Sequence, residues 1–274
     1  MNPHTVESIV SILLLVFCLA LAVVWLSITR RMLKATAKTL LPRSVIASYR
    51  SLRLAIARRT NARRDARTVF TEIYDKCLWG RRNGSGRGSS ESAATAYVAT
   101  IRHFIAEHRI KSVVDLGCGD FQVGSRLQVP GVKYVGVDIV PSLIERHRLQ
   151  GAMDDATFFC LDICRDDLPD AELCLIRQVF QHLSNNEIIA VLSKLNKYQF
   201  VIVTEHYPAF LHVANRDKPH GADTRLIEGS AVCLDEPPFG INVTLLLDVQ
   251  PPEYLLAPGE TVKSFLLANN IGRD

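Results

Sequence analysis

Val-Val-Asp-Leu-Gly-Cys-Gly-Asp, residues 113–120, is the stretch of this sequence that decides the fold. It starts within a short apolar run of strand type, Ser112–Leu116, and then turns at Gly117 and Gly119. Glycine has no Cβ atom, so the main chain at such a turn can approach a ligand closely. The pattern predicts a buried strand followed by a nucleotide-binding loop, and an ordinary glycine turn is the alternative.

The spacing of the glycines and the flanking acids narrow the choice of ligand. After Gly119 the next glycine is Gly124, which does not fit the Gly-x-Gly-x-x-Gly pattern of dinucleotide sites. The Gly-Lys-Ser/Thr sequence of a P-loop does not occur. Asp115 and Asp120 would repel a pyrophosphate, but they suit a cofactor that carries an ammonium and a sulfonium and no phosphate.

The stretch resembles the first motif, acidic-x-Gly-x-Gly, of the class I S-adenosylmethionine-dependent methyltransferases, and the chain looks like a bacterial, membrane-anchored member of that family. The resemblance spans about residues 68–273. It implies a Rossmann-like α/β sheet of strand order 3-2-1-4-5-7-6 whose last strand is antiparallel. It also implies S-adenosyl-L-methionine as the cofactor.

Asp138 directly follows the predicted second strand, residues 133–137, and lies 23 residues after Asp115. This distance fits one strand-helix-strand unit. A carboxylate at the tip of such a strand can accept hydrogen bonds from both hydroxyl groups of a ribose. Asp138 is therefore the predicted ribose ligand, and an alternative role is to cap the helix predicted over residues 141–150.

The third strand, predicted over residues 157–161, is followed by Asp162 and Ile163. By the resemblance, Asp162 accepts a hydrogen bond from the adenine amine, and Ile139 and Ile163 pack against the adenine ring. The remaining cofactor-binding residues that the resemblance implies are Gly117, Cys118, Gly119, Asp120 and Gln178.

Candidate catalytic residues follow the fourth and fifth predicted strands, residues 173–179 and 200–204. His182 comes after the fourth, and Glu205 and His206 come directly after the fifth. Ligands of an open parallel sheet bind at this edge, and an alcohol acceptor needs a base within about 3 Å. His182, Glu205 and His206 are the candidates in that order, although a thiolate or free amine requires none and a lone histidine is often structural.

Two further segments are predicted to lie at the site. Residues 79–90 are similar to a Trp-Gly, then Ser-Gly-x-Gly-Ser-Ser, stretch of some bacterial methyltransferases, which implies a lid over the cofactor; a flexible linker is the alternative. Residues 211–239 are long and polar, so we expect them to face the substrate. Finally, the apolar runs 242–249 and 262–268 predict an antiparallel pair at the end of the sheet.

The N-terminus predicts a membrane anchor. Residues 9–28 contain no charge, and as a helix these 20 residues would cover about 30 Å, the thickness of a hydrocarbon core. No Lys or Arg precedes Arg30, whereas several follow the span, which disfavours a cleaved signal peptide and places the C-terminal side in the cytoplasm. The predicted organisation is an anchor over 1–29, a basic juxtamembrane linker over 30–67 and a methyltransferase domain over 68–274.

The linker has 12 Lys or Arg residues and one acid, Asp65. Such a segment beside a span is attracted to anionic lipid head groups. It has a single aromatic residue, Tyr49, so nucleic acid is not an expected partner. The seven cysteines include no Cys-x-x-Cys pair, and no metal site is expected.

These features predict a methyltransferase held at the cytoplasmic face of a membrane by a single span, acting on a small-molecule, saccharide or lipid-linked acceptor. Two alternatives remain open. A membrane scaffold could keep the fold and bind the cofactor without methyl transfer. A nicotinamide-dependent reductase is disfavoured by the spacing of Gly117 and Gly119.

Overall fold

The computed structural model of the chain describes residues 42–80, 84–127, 129–150, 155–250 and 257–268. The chain forms two compact units, Met1–Ile56 and Ala57–Asp274. The predicted span, residues 9–28, lies outside the described residues. Within the described ranges, no helix combines the length and the apolar character that a membrane crossing needs.

A seven-stranded sheet forms the centre of the second unit. Its strand order is β3-β2-β1-β4-β5-β7-β6; β1 to β5 pair in parallel, and β7 runs antiparallel to both β5 and β6. This is the order that the family resemblance implied, so the predicted sheet is confirmed. The strands are β1 Ser112–Leu116, β2 Lys133–Asp138, β3 Ala156–Cys160, β4 Leu173–Arg177, β5 Phe200–Tyr207, β6 Val243–Val249 and β7 Thr261–Leu267.

Two of the helices start at a residue whose side chain accepts from a free N–H group of the first turn. Asp65 accepts from Thr68 N at the start of α2, and Ser184 and Glu187 form the predicted capping box of α5. The helices are α1 Arg43–Asn61, α2 Ala66–Asp75, α3 Glu91–Glu107, α4 Pro141–Leu149 and α5 Asn185–Leu192. Short 3₁₀ turns occupy Arg87–Ser89, Gly124–Arg126, Phe180–His182, Leu195–Lys197 and Arg225–Glu228.

The sheet is buried on both faces. Along β1, Val114 belongs to one apolar cluster and Val113 to the other, because successive side chains of a strand point to opposite faces. α2 and α5 pack in the first cluster, and α3 packs in the second. A sheet covered on both faces leaves the ends of its strands as the place where polar groups can meet a ligand.

β5 is three residues longer than predicted and continues to Tyr207 instead of Thr204. Beyond Arg177, where β4 ends, β5 keeps its antiparallel partner β7, and Glu205 pairs there with Lys263 and His206 with Val262. Glu205 and His206 are therefore strand residues. The sequence analysis had instead placed both residues in a loop after the strand.

Candidate cofactor and acceptor site

A cavity of about 1060 Å³, open solvent at its mouth included, lies at the carboxyl ends of β1 to β4. Asp115 of β1, Asp138 of β2 and Asp162 after β3 all line it, together with Asp120. The acids that the sequence predicted to converge therefore do so.

The glycine turn is held against the tip of β2. Gly117 and Gly119 have positive φ angles, of 84° and 56°. Gly119 N donates to Asp138 Oδ2 at 2.9 Å, and Gly117 N donates to the carbonyl oxygen of Val137 at 2.7 Å. A Cβ atom on Gly117 would lie 2.4 Å from Val179 Cγ2, so the turn excludes other side chains at this position.

Asp138 is positioned entirely by main-chain donors. Its Oδ1 accepts from Val140 N at 3.0 Å, and its Oδ2 takes the bond from Gly119. Burial raises the pKa of this carboxyl group. Each oxygen has a second lone pair, so the group can accept two further hydrogen bonds from a vicinal diol. The residue at the N-cap position of α4 is Val140, so the capping role considered for Asp138 is wrong.

Asp115 is the acid nearest the centre of the sheet. Tyr134 Oη donates to Asp115 Oδ2 at 2.5 Å, and burial raises the pKa of Asp115 to about 6. A buried carboxylate of this kind favours a cation beside it, because a cation offsets the cost of taking the negative charge out of water.

The β3 end of the cavity has an apolar slot beside one acid. Ile139 and Ile163 line it with Asp162, whose Oδ1 accepts from Cys164 N at 2.9 Å. Apolar walls next to a hydrogen-bond acceptor suit a flat base with an exocyclic amine. The predicted residues Cys118, Gly117 and Gln178 also line the cavity, whereas Gly119 contributes through its main chain.

The segment 84–90 covers the glycine turn, as a lid would. Ser85 N donates to Asp120 Oδ2 at 3.1 Å, and Asp120 N donates to Ser85 Oγ at 2.8 Å. Tyr74 Oη lies 2.9 Å from the same Oγ, and both Ser85 and Ser89 line the cavity. These bonds favour the lid over a free linker.

Aromatic side chains from the part of the chain that precedes β1 form one wall of the cavity. Trp79 belongs to the predicted lid segment, whereas the other two, Phe70 and Tyr74, were not predicted to lie there. Phe70 and Tyr74 of α2 and Trp79 line the cavity. Trp79 Nε1 donates to the carbonyl oxygen of Ala222 at 3.0 Å, and its ring centroid lies 4.7 Å from that of His182. The four-residue spacing of Phe70 and Tyr74 was the available signal, but it is equally typical of a core helix.

His182 lines the cavity as predicted. Its Nδ1 lies 3.1 Å from the carbonyl oxygen of Gly221, which can only accept, so Nδ1 carries the proton. Nε2 then holds a lone pair and lies 3.3 Å from Gln181 Nε2. Burial lowers the pKa of His182 to about 3, which keeps the imidazole neutral at physiological pH.

Glu205 and His206 do not line the cavity. Glu205 is buried and accepts from Phe180 N at 2.9 Å and Gln181 N at 3.2 Å, so it holds the turn that carries His182. His206 Nε2 lies 3.2 Å from Glu260 Oε2 of the neighbouring hairpin. The prediction that Glu205 and His206 are catalytic bases is therefore wrong. The longer β5 pairs both residues with β7, outside the cavity.

The 211–239 segment lies behind the cavity wall. All residues that line the cavity in the described part of the chain fall between Ala66 and Leu183. Within the described residues the segment supports the lining residues from outside the cavity: the carbonyl oxygens of Ala222 and Gly221 bind Trp79 and His182, and the ring of His220 lies 6.2 Å from that of Phe70. Its buried Arg225 was not selected from the sequence. The expectation that this segment faces the substrate is therefore wrong.

Comparison with known proteins assigns no family to this chain. No protein-family model matches the chain, and no curated protein matches it in sequence. Similar solved structures include human N-acetylserotonin methyltransferase in complex with S-adenosylmethionine, at 13% identity over 74% of this chain and 59% of that one, with a TM-score of 0.46.

Two bacterial structures are similar over most of their own length. The N-methyltransferase NodS from Bradyrhizobium japonicum, in complex with S-adenosyl-L-homocysteine, is 12% identical over 73% of this chain and 98% of its own, with a TM-score of 0.49. The magnesium protoporphyrin IX methyltransferase from Synechocystis, with bound S-adenosylhomocysteine, is 14% identical over 74% of this chain and 100% of its own, with a TM-score of 0.48. The bound molecules belong to those proteins.

Proposed function

We propose that this chain is an S-adenosylmethionine-dependent methyltransferase held at the cytoplasmic face of a membrane, acting on a small-molecule, saccharide or lipid-linked acceptor. The observation that carries the proposal is the convergence of Asp115, Asp138 and Asp162 on one cavity beside a glycine turn. The residues fit the cofactor, because the free lone pairs of Asp138 match a ribose diol and the slot between Ile139 and Ile163 matches an adenine.

The cofactor supplies an activated methyl group on a sulfonium, so the main task of the protein is to align the acceptor and exclude water. Phe70, Tyr74 and Trp79 form an apolar wall suited to both tasks. The buried Oε1 of Gln181, which has no hydrogen-bond partner, is an acceptor for an O–H or N–H of the methyl acceptor. His182 Nε2 accepts from Gln181 Nε2 at 3.3 Å and so fixes the orientation of that amide.

His182 is better suited to orient the acceptor than to carry its proton. A pKa of about 3 makes the protonated imidazole costly, and an efficient general base has a pKa close to the working pH. The neutral ring accepts from Gln181 Nε2, which leaves Gln181 Oε1 free to bind the methyl acceptor and orient its lone pair. This role suits a nucleophile that is already deprotonated or loses its proton to solvent.

The membrane part of the proposal is supported by the sequence of residues 9–28 and by α1. Val45, Tyr49 and Leu52 of α1 are 46%, 60% and 59% exposed and recur at intervals of four and three residues. The helix has arginine but no acidic residue. An exposed apolar stripe flanked by arginine suits the interface of a membrane that contains anionic lipid.

Titration of the full-length protein with S-adenosylhomocysteine tests the cofactor. We expect binding by the wild-type protein and a loss of at least about tenfold in affinity for Asp138→Asn, because an amide would turn a donor toward one of the two N–H groups that now bind the carboxylate. Asp170→Asn, at a surface acid 93% exposed, is the matched control. Absence of binding to folded wild-type protein would remove the proposal.

Incubation with membrane extracts and a labelled methyl donor tests transfer. Incorporation of label that depends on the wild-type protein supports the enzyme, and binding of the cofactor without transfer to any acceptor points to the scaffold. Alkaline carbonate extraction of membranes from expressing cells tests the anchor. The protein should stay in the membrane pellet, and its complete release would contradict the span over residues 9–28.

A further inference from the structure

Four apolar residues are exposed on the segment that follows β5. They are Phe210, Leu211, Val213 and Ile227, which are 78%, 47%, 46% and 66% exposed. Single exposed apolar residues are common on proteins, but an aromatic residue grouped with three aliphatic ones is typical of a contact surface. We call these four residues the apolar patch.

Main-chain hydrogen bonds bring the members of the apolar patch together. His212 N donates to the carbonyl oxygen of Gly229 at 2.8 Å, and Asn215 N donates to that of Ala231 at 3.0 Å. Both bonds join the two segments in the same direction along the chain. The segment that contains Ile227 therefore runs beside the segment that contains the other three members.

The end of the linker helix α1 is attached next to the apolar patch. Arg58 Nη1 lies 3.0 Å from Glu228 Oε1, and Arg58 Nε donates to Asp223 Oδ2 at 3.0 Å. The side chain of Arg58 is only 17% exposed, so these ion pairs are largely shielded from solvent. Because Glu228 directly follows Ile227, the linker joins the domain beside the apolar patch.

The linker indicates which partner covers the apolar patch. Residues 29–57 separate Arg58 from the predicted span, and a fully extended chain of that length would reach about 100 Å. The domain can therefore rest on the bilayer, and a tether attached beside the patch favours an approach with the patch toward the lipid. Phenylalanine, leucine and isoleucine are side chains that interfacial segments bury at the boundary between head groups and acyl chains.

We infer that the apolar patch inserts into the lipid interface and forms a second membrane contact of this chain, besides the anchor. The inference depends on the membrane part of the proposed function. Insertion removes apolar side chains from water, which is the driving force. The segment with the patch also contains Gly221 and Ala222, whose carbonyl oxygens bind His182 and Trp79, so one segment connects the patch to the acceptor side of the cavity.

Fluorescence quenching of the full-length protein in vesicles tests the inference. The vesicles contain phosphatidylcholine and phosphatidylglycerol, with or without bromine on the acyl chains, and bromine quenches a tryptophan that reaches those chains. The chain has two tryptophans, Trp25 and Trp79, so every variant carries Trp25→Phe to remove the one in the predicted span, and the emission of Trp79 is subtracted as a common baseline. In this background, Phe210→Trp should lose at least about half of its emission in brominated vesicles, because the side chain is buried in the interface.

Leu149→Trp in the same background is the matched control, because Leu149 is 80% exposed but is the last residue of α4. α4 leads from the carboxyl end of β2 back toward the start of β3, so Leu149 lies at the opposite edge of the sheet from the segment after β5. Its emission should be the same in both kinds of vesicle. Ile227→Trp is a second probe of the patch and should be quenched like Phe210→Trp. Thermal unfolding establishes that each variant is folded.

The outcomes separate the inference from the anchor on which it depends. If the protein floats with the vesicles but Phe210→Trp and Ile227→Trp are quenched no more than Leu149→Trp, the inference is overturned and the anchor stands. A blue-shifted emission of both probes without quenching would mean that a second copy of the chain covers the patch, which also overturns the inference. Protein that does not float with the vesicles would contradict the anchor, and the inference would fail with it.

Discussion

Gly119 lies between Asp138 at the tip of β2 and Ser85 of the lid segment. Its N–H holds Asp138, and its Cα faces the lid, where an added Cβ would lie 2.2 Å from Ser85 Oγ. The positive φ of 56° is a further cost for any side chain. The same main-chain position therefore orients the predicted ribose ligand and sets how closely segment 84–90 can approach.

Gly119→Ala should weaken the binding of S-adenosylhomocysteine by about tenfold, because the methyl group forces Ser85 away from Asp120 and disturbs the bond to Asp138. Gly131→Ala is the control, since Gly131 also has a positive φ, of 78°, but has nothing within 4 Å of an added Cβ. It should lower stability by about 1 kcal/mol and leave the affinity unchanged. Equal affinities for the two variants would contradict the role of the Ser85 contact.

The 3₁₀ turn Phe180–His182 is held from two sides by elements far away in sequence. Glu205 of β5 accepts from its N–H groups. From the other side, Arg225 donates to the carbonyl oxygens of Phe180 and Leu183 at 2.9 and 2.8 Å, and its side chain is almost fully buried. The turn that aims His182 at the cavity therefore depends on both an acid and a guanidinium.

Arg225→Met should lower the free energy of unfolding by about 3 kcal/mol, because it leaves the buried carbonyl groups of Phe180 and Leu183 without their donor. Urea unfolding of the full-length protein measures the change. Arg216→Met, at a half-exposed arginine whose distance to Glu228 is 3.9 Å, should change the free energy by no more than about 0.5 kcal/mol. If the two variants are equally stable, Arg225 is not the support that the structure indicates.

At the scale of the whole molecule, buried acids make stability depend on pH. Burial raises the pKa of Glu205 to about 8, whereas its value in the unfolded chain is about 4.3. Between these values the folded state binds more protons than the unfolded state, so the free energy of unfolding falls as the pH rises. His182 has the opposite effect below about pH 6.5. Because burial lowers its pKa to about 3, the folded state binds fewer protons there than the unfolded state, and the free energy of unfolding rises with pH.

The effects of Glu205 and His182 oppose each other in weak acid, and that of Glu205 dominates from about pH 6.5. Lys218, whose pKa is lowered to about 8 by burial, opposes Glu205 only close to pH 8 and above. Stability should therefore fall between about pH 6.5 and 8, and Glu205→Gln should flatten this part of the curve, because a neutral amide does not ionise. Urea unfolding at both ends of the interval, with the exposed Asp170→Asn as the control variant, measures the difference. An undiminished fall in Glu205→Gln would assign the pH dependence to other groups.

Much of the site is local and could be predicted from the sequence. Three parts of the site lie at the ends of successive parallel strands: the turn at Gly117 and Gly119, Asp138, and Asp162. Because each strand-helix-strand unit returns the chain to the same edge of the sheet, these residues meet there. The family resemblance supplied the strand order, which the sheet confirms.

The rest depended on contacts between distant segments. β5 is long because β7 pairs with its far end, and that pairing turns Glu205 from a candidate base into a support. Arg225 reaches the 180–183 turn across about forty residues, and Trp79 reaches Ala222 across more than a hundred.

Repeating strands and helices fix where each strand ends, so the sequence by itself determined the α/β class and the acidic tips that line the cavity. Only the tertiary structure decided which polar side chains face that cavity. His182 and Arg177 line the cavity, whereas Glu205 and His206 lie outside it, paired with β7. The physical reason is that the strand or loop that packs beside a side chain decides whether this side chain faces a ligand or is buried. Such a strand or loop is distant in sequence, so the local sequence does not determine the outcome.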